Sequence, residues 1–423
     1  MPDTGLRPDA PLPAIAPAGE VVVIGLGYVG RPLALEAAAA GFLVTGFDLC
    51  AAAGRTAEAA WQATGRRGGR LRSTSDPAAL PPAATWLVCV PTPLDAAGRP
   101  DLSAVAAAFA TCRARMPRGA LACLVSTCQP GATNGLCRAA LEQDGWRVGR
   151  DVFLAVSPER ENPGDAQGGP RRIARLLGAP DPASLAQARA FWDRVTDTVV
   201  PVATPEIAEC AKLLENSYRL VNVALMDQLH AAFAALGVPT RDVVAAAATK
   251  PFGFAPFWPG LGAGGHCIPV DPAFLQMEAR RAGAPSRLLD LALAANEARP
   301  GRVAAAIADA FGGSIEGRRI LVAGVTYKPD VADLRGAAPV ALLHGLRGAG
   351  AEALWCDPLI GDPPPDLAEI PRVAHPADAA PDALVLGTPH RAFDLAALAR
   401  AAPLVFDPFG LLPADAEGRV RAV

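Results

Sequence analysis

Cys267 stands in the run Pro259-Gly260-Leu261-Gly262-Ala263-Gly264-Gly265-His266-Cys267-Ile268-Pro269-Val270-Asp271-Pro272. Glycines at this density free backbone N–H groups to approach a ligand. A helix expected to start near Asp271 would lower the thiol pKa, which suits a nucleophile. The plainer alternative is a packed free cysteine in a glycine-rich turn. His266 is adjacent in sequence and need not face the thiol, so it is not assigned as a base. No Ser/His/Asp order stands out among the five histidines. Lys212 and Asn216 are four apart and share a helix face. A desolvated lysine beside an amide donor can stabilise a developing alkoxide. Glu209 and Glu215, three residues to either side, could instead hold Lys212 in a surface ion pair.

A second constellation lies near the start. Gly25-Leu26-Gly27-Tyr28-Val29-Gly30 is G-x-G-x-x-G, and it follows an apolar β-branched run, opens a helical pattern and leads to Asp48 at the end of the next strand. In that context Gly25 permits a tight turn, Gly27 lets the backbone approach a pyrophosphate, and Gly30 lets helix and sheet pack closely. The helix N-terminus favours the phosphates. Asp48 can accept bonds from an adenosine ribose and would repel a 2′-phosphate, which favours NAD over NADP. Thr92, Thr127 and Glu159 follow three later strand candidates, in CVPTP, STCQPG and SPERE. Polar groups at successive strand ends would share the crevice where such sheets bind ligands.

These residues need elements to hold them. Strands are expected at Val21–Gly25, Phe42–Asp48, Thr85–Val90, Ala122–Ser126 and Phe153–Val156, alternating with helices that begin with Val29–Ala40. That alternation predicts a parallel sheet covered on both faces. This unit ends near Val199–Thr204 after one more strand. One long helix follows from Pro205 to about Leu236, with Thr204 as N-cap, Pro205 in its first turn and Gly237 as its stop. Further helices are expected over Thr240–Thr249, Asp271–Ala282 and Ser286–Phe311, interrupted by the loop Lys250–Pro269. A second α/β unit starts at Arg319–Tyr327 and continues through strands at Ala353–Cys356, Ala383–Leu386 and Leu404–Phe406, with a Pro-rich loop at 360–381. The expected plan is a flexible tail over 1–19, a dinucleotide-binding domain over 20–204, a helical block over 205–312 that serves as spine and subunit interface, and a last domain over 313–423.

Composition fits that plan. The 423 residues are 51% hydrophobic and 19% charged, with a net charge of −3. Such a chain buries large cores and shows no general basic face for nucleic acid. The nine cysteines include no C-x-x-C pair, which argues against a zinc site or disulfide framework and for a reducing, cytoplasmic setting. The start lacks the pattern of a signal peptide, and no stretch reads as a membrane span.

Taken together, the motifs resemble the UDP-glucose/GDP-mannose dehydrogenase family, and within it the UDP-N-acetylglucosamine 6-dehydrogenase branch. The resemblance runs from about Val21 to Gly410. Its blocks are GLGYVG at Gly25, VPTPLD at Val90, STCQPG at Ser126, SPEREN at Ser157, KLLENSYRLVN at Lys212, TKPFGF at Thr249, GGHCIPVDP at Gly264 and GVTYKPDVADLR at Gly324. It implies two Rossmann-like doubly wound domains joined by a long central helix, homodimers through the helical block, and oxidation of a sugar 6-CH₂OH to a carboxylate with NAD. In that chemistry a thiolate adds to the aldehyde formed first, so that the same carbon can lose a second hydride.

By this resemblance Cys267 is the nucleophile, and Lys212 and Asn216 stabilise the oxyanion. Asp271 positions water or assists proton transfer, Glu159 helps in thioester hydrolysis, and Thr127 orders the water and the nicotinamide. NAD would rest on Gly25, Leu26, Gly27, Tyr28, Val29, Gly30, Asp48, Thr92, Thr127 and Arg335. The UDP-sugar would meet Glu159, Arg160, Lys212, Asn216, Gly260, Gly262, Gly264 and Lys328, and Lys250 could reach a partner subunit's substrate. The chain departs from the family in three places. The first basic residue after Asp48 is Arg55, within an Ala-, Gly- and Arg-rich stretch from Leu49 to Gly69. Asp407-Pro408-Phe409 replaces an Asp-x-Arg pair, and a usual serine after Arg335 is absent from Gly336-Ala337-Ala338. The leading expectation is oxidation of UDP-N-acetylglucosamine for surface glycan precursors. UDP-N-acetylmannosamine, UDP-glucose and GDP-mannose are alternative substrates, and a non-catalytic binding paralogue is an alternative class. A two-electron hydroxy-acid dehydrogenase would share the first domain but has no use for Cys267.

Overall fold

The structure is a computed structural model that describes residues 19–66, 68–95, 97–161, 169–413 and 418–423. The tail expected over residues 1–19 therefore lies outside the described residues except for Gly19. The chain divides into two compact units between Leu213 and Leu214, inside one helix.

The first unit is built on a parallel sheet of β1 (Glu20–Ile24), β2 (Leu43–Phe47), β3 (Arg70–Thr74), β4 (Thr85–Val88), β5 (Leu121–Leu124) and β6 (Phe153–Val156), in the order β3-β2-β1-β4-β5-β6. This is the doubly wound order, with its switch point between β1 and β4. Alternate residues of β1 serve opposite cores: Val21 and Val23 join Leu33, Phe42 and Phe191, while Val22 and Ile24 join Trp86, Phe109 and Leu154. Both faces are thus covered, by α1 (Gly30–Ala39), α2 (Ala51–Ala63), α3 (Ser103–Arg115), α4 (Arg138–Leu141), α5 (Gly169–Arg172) and α6 (Pro182–Val195). A parallel pair, β7 (Arg175–Leu177) and β8 (Val199–Pro201), completes the unit.

Helix α7 (Pro205–Ala235) carries the chain into the second unit, which continues with α8 (Thr240–Ala248), α9 (Asp271–Arg281), α10 (Arg287–Glu297) and α11 (Arg299–Ala310). The single helix expected over Ser286–Phe311 is two helices. Pro300 lies in the first turn of α11, where its missing N–H costs nothing, and no helix can run unbroken through it. Leu289 and Ala292 of α10 pack on Leu220 and Ala224 of α7. The second parallel sheet holds β9 (Arg319–Ala323), β10 (Glu352–Cys356), β11 (Ala383–Leu386), β12 (Leu404–Asp407) and β13 (Val420–Ala422) in the order β10-β9-β11-β12-β13. Helices α12 (Ala338–Gly348) and α13 (Leu395–Leu398) lie among its strands in sequence. Two cores flank it, one around Trp355 and Phe406 and one around Leu354, Leu384 and Leu386. Among the described residues no single helix is long and apolar enough to cross a membrane.

Candidate active site

In the first unit the glycine turn leaves β1 under tight constraint. Gly25 has φ +89°, and a Cβ there would lie 2.5 Å from the Cys89 carbonyl oxygen. Its N–H donates to Phe47 O at 2.8 Å. A Cβ at Gly30 would strike the Gly25 carbonyl, whereas one at Gly27 would meet nothing within 4 Å. Gly27 is thus the open side of the turn. Leu26 is buried and offers only backbone, Tyr28 is exposed, and Val29 opens α1 with no side-chain cap on the helix N-terminus. The Asp48 carboxylate is aimed by two backbone donors, Leu26 N–H on Oδ2 and Cys50 N–H on Oδ1, both at 2.8 Å. An open backbone face, an uncapped helix end and a half-buried acid beyond β2 fit the diphosphate and ribose of a dinucleotide. The stretch after Asp48, which the sequence left unpatterned, forms α2 and buries Gly54, Ala57 and Trp61.

The strand ends are laced together. Thr92 Oγ1 donates to Thr127 O at 2.8 Å, and Ser126 Oγ to Val90 O at 2.7 Å. Glu159 is buried. Its Oε1 accepts the N–H groups of Arg160 and Glu161, each at 2.7 Å, and its Oε2 accepts from the guanidinium of Arg175. Arg175 in turn stacks over Trp192 at 4.6 Å. Arg160 donates from Nη1 to Ala174 O at 2.7 Å. A second carboxylate, Glu161, lies 4.0 Å from Arg175. Burial, and then the charge of Glu159, push the Glu161 carboxyl up to about 8.

Lys212 is buried on α7. Its expected surface partner Glu209 turns away to accept Gly131 N–H at 2.6 Å and Thr133 N–H at 2.9 Å. Burial pushes the Glu209 carboxyl up in spite of these bonds. The surface ion pair between Glu209 and Lys212 is therefore not formed, because loop N–H groups claim the carboxylate.

In the second unit Asn216, Asp271 and Cys267 come together. Asn216 Nδ2 donates to Asp271 Oδ2, and both residues are buried. Asp271 opens α9, and its N–H donates to Cys267 O at 2.8 Å. Cys267 is a half-buried thiol outside any disulfide, just before that helix. The glycine loop leading to it is gripped from several sides. Gly260 N–H donates to Asp227 Oδ1 at 3.1 Å, while Gly260 O accepts from Arg299 Nε at 3.0 Å. Asn296 takes the Ala263 N–H at 2.7 Å and returns a bond to Ala263 O at 3.0 Å. Gly262 sits against Asn296 and Arg299. Gly265 N–H donates to Arg335 O at 3.0 Å, and a Cβ at Gly264 would stand 2.7 Å from the Gly336 carbonyl oxygen.

The Arg335 guanidinium pairs with Asp333 at 2.7 Å. Burial favours protonated Asp333, but the hydrogen bonds and charge of Arg335 outweigh it and hold the carboxyl below its usual range. Lys328 is half-buried, and its carbonyl accepts from Thr326 Oγ1 at 2.9 Å. Lys250 is exposed, with Nζ 4.9 Å from the Phe252 ring. Phe409, in place of the family's arginine, lays its ring 3.2 Å from a Cβ position at Gly260. No motif marked Asp227, Asn296, Arg299 or Arg175. The one sequence signal was a charged or amide side chain within an otherwise Ala- and Leu-rich stretch.

Comparison with known proteins agrees over most of the chain. Residues 19–196 match the NAD binding domain, 206–298 the central domain and 321–414 the UDP binding domain of the UDP-glucose/GDP-mannose dehydrogenase family. The chain is 30% identical to UDP-N-acetyl-D-glucosamine 6-dehydrogenase from Pseudomonas aeruginosa, over 94% of this chain and 98% of that one. It is also 30% identical to UDP-N-acetyl-D-mannosamine dehydrogenase from Salmonella typhi, over 88% and 94%. The solved structure of a UDP-D-ManNAc dehydrogenase from Pyrococcus horikoshii shares the fold, with a TM-score of 0.84 at 24% identity over 96% of this chain and 99% of that one.

Proposed function

The chain belongs to the UDP-glucose/GDP-mannose dehydrogenase family, and from that premise we propose that it oxidises C6 of a UDP-N-acetylhexosamine, first choice UDP-N-acetyl-D-glucosamine, from alcohol to carboxylate. It is an NAD-dependent nucleotide-sugar dehydrogenase. The observation that supports oxidation through to the carboxylate is the Asn216–Asp271 bond at the start of α9, one turn on from Cys267, whose carbonyl accepts the Asp271 N–H.

NAD, when bound, accepts hydride from the sugar carbon. The glycine turn and Asp48 hold the cofactor, with Thr92, Thr127 and Arg335 as further contacts. The alcohol loses a hydride and a proton to become an aldehyde. The Cys267 sulfur then adds to C6, the C–S bond forms, and the carbonyl π pair moves to oxygen. The ammonium of Lys212 and the amide of Asn216 stabilise that oxyanion. Loss of a second hydride from C6, taken up by a second NAD, leaves a thioester. Water, with Asp271 and Glu159 assisting proton transfer and Thr127 ordering it, attacks the thioester, and the C–S bond breaks to give carboxylate and thiol. Arg160, Gly260, Gly262, Gly264 and Lys328 contact the UDP-sugar.

The division into domains over 20–204, 205–312 and 313–423 belongs to the same reading. So does a homodimer through the helices, in which Lys250 reaches the partner's substrate. Ile207, Leu214, Tyr218 and Leu225 form an exposed apolar stripe along α7, and Leu288 and Leu291 are exposed on α10. The free cysteines suit a reducing cytoplasm, and the uronate suits surface polysaccharide precursors.

NADH counted per sugar consumed, across a panel of nucleotide sugars, tests the reading. Two NADH per UDP-N-acetylglucosamine is expected; one, with free aldehyde released, refutes it. Relatives named for N-acetylmannosamine favour UDP-N-acetylmannosamine as the second candidate in that panel. Cys267→Ser should bind NAD and nucleotide sugar yet lose turnover by about 10³-fold or more.

A further inference from the structure

The turn after β9 repeats the turn after β1, bond for bond. Gly25 N–H donates to Phe47 O and Gly324 N–H to Cys356 O, each at 2.8 Å. Both glycines are left-handed, with φ +89° and +85°. Leu26 N–H reaches Asp48 Oδ2 at 2.8 Å, and Val325 N–H reaches Asp357 Oδ2 at 2.7 Å. The second oxygen of each acid takes an N–H two residues on, from Cys50 and from Leu359, both at 2.8 Å. The second unit thus keeps the first glycine and the strand-end acid of a dinucleotide turn, while a loop stands where the first unit has its second and third glycines and a helix N-terminus.

The two turns differ in what faces the acid. Asp48 is half-buried, whereas the Asp357 side chain is fully buried against an equally buried His390. His390 Nε2 lies 3.0 Å from Asp357 Oδ2 and 3.2 Å from Thr326 Oγ1. On the other side of the ring, Asp330 N–H donates to Nδ1 at 3.0 Å. A backbone N–H can only donate, so Nδ1 carries the lone pair and Nε2 the proton. Asp330 is a non-glycine residue at φ +61°, a conformation that persists only where neighbours enforce it. Its carboxylate also accepts from Arg391 Nε at 2.6 Å. Thr326 Oγ1 donates to Lys328 O at 2.9 Å. The loop Val325–Asp330, which carries Lys328, is therefore pinned at its start by Asp357 and at its end by His390, and the ring joins the two pins.

We propose that His390 is a positioning residue for nucleotide-sugar binding: it closes off the acid that a dinucleotide turn offers to a ribose and uses it to fix the loop that carries Lys328. The proposal rests on the reading of Lys328 as a substrate contact. The charged and titratable groups facing the ring are Asp357 from the end of β10, Asp330 from the loop, 3.9 Å away, and Arg391, which is paired with Asp330.

Binding of UDP and of NAD to the full-length protein, measured by calorimetry, tests this. His390→Phe, which removes both ring nitrogens, should weaken UDP by about tenfold and leave NAD within about twofold. His390→Asn, whose Oδ1 can stand in for the Nδ1 lone pair, should recover most of the loss. Equal UDP affinity in wild type and His390→Phe overturns the proposal if Lys328→Ala does weaken UDP. No rescue by His390→Asn overturns it as well. If Lys328→Ala leaves UDP binding unchanged, the substrate role of Lys328 fails, and the positioning role falls with it.

Discussion

Asp227 and Arg299 hold Gly260 by the two peptides that flank it: Asp227 accepts the Gly260 N–H, and Arg299 donates to the Gly260 carbonyl. The two side chains are buried and 3.9 Å apart. Burial pushes the Asp227 carboxyl up to about 6, against the pull of Arg299. An acid raised in the folded state stabilises the fold below its unfolded pKa and loses that advantage as pH rises through the folded one. Wild type should therefore lose stability relative to Asp227→Asn between about pH 4 and 6, by an order of 3 kcal/mol. The asparagine keeps an acceptor for Gly260. Urea unfolding of both proteins across that range checks the prediction, and parallel stability curves would count against it.

Glu161 shares Arg175 with Glu159. With its carboxyl pushed up to about 8 by burial and by Glu159, it is protonated at neutral pH. Above that, a second negative charge enters the cluster and competes for the one guanidinium. Glu161→Gln, shaped like the protonated acid, should keep turnover at pH 7 within about twofold of wild type. It should also remove the wild-type change in kcat on the alkaline side. A pH–rate profile that still tracks wild type would refute the assignment.

Gly25→Ala places a methyl against the Cys89 carbonyl at a left-handed φ. The strain is about 1–3 kcal/mol before any clash is relieved, and the turn must open to relieve it. NAD should bind about tenfold or more weakly, while UDP affinity is unchanged. Cofactor and nucleotide titrations separate these effects.

Asn296→Asp exchanges a two-way amide clamp for an anion facing the Ala263 carbonyl. The lost donor and the unpaired acceptor should cost about 1–3 kcal/mol. Because Ala263 lies four residues before Cys267, kcat should fall more than the KM for NAD rises. Asn296→Gln, one methylene longer, should restore little, since both amide atoms leave their places. Thermal melts with steady-state kinetics decide it.

The parts legible in sequence were those with short-range causes. Val21 to Ile24 alternates between two cores and reads as a buried parallel strand, and Gly25, Gly27 and Gly30 mark a turn whose geometry only glycine meets. The helix start at Asp271 followed from Pro272 and the glycines before it. Strand β3 was missed because it is an edge strand with only Leu71 buried, so Arg70-Leu71-Arg72-Ser73-Thr74 carries almost no apolar signal. The fates of Glu209, Glu159 and Asp227 were not legible at all. Each is set by a backbone N–H or a guanidinium 16 to 78 residues away in sequence, brought near only by the tertiary fold. The repeated turn was half visible. Gly324 ends an apolar strand as Gly25 does, but Asp357 stands 33 residues on against 23 for Asp48, and the closing of that acid depends on His390, which arrives after another strand.

Six of the nine cysteines are buried, and only Cys50, Cys210 and Cys267 meet solvent. Burial pushes the Cys123 and Cys356 thiols up to about 12 and raises Cys210 as well. A soft electrophile therefore finds few partners on the native protein. With Cys50 and Cys210 replaced by serine, a maleimide or chloroacetamide dye would settle on one sulfur, and occupancy of the pocket could be followed by fluorescence without any turnover.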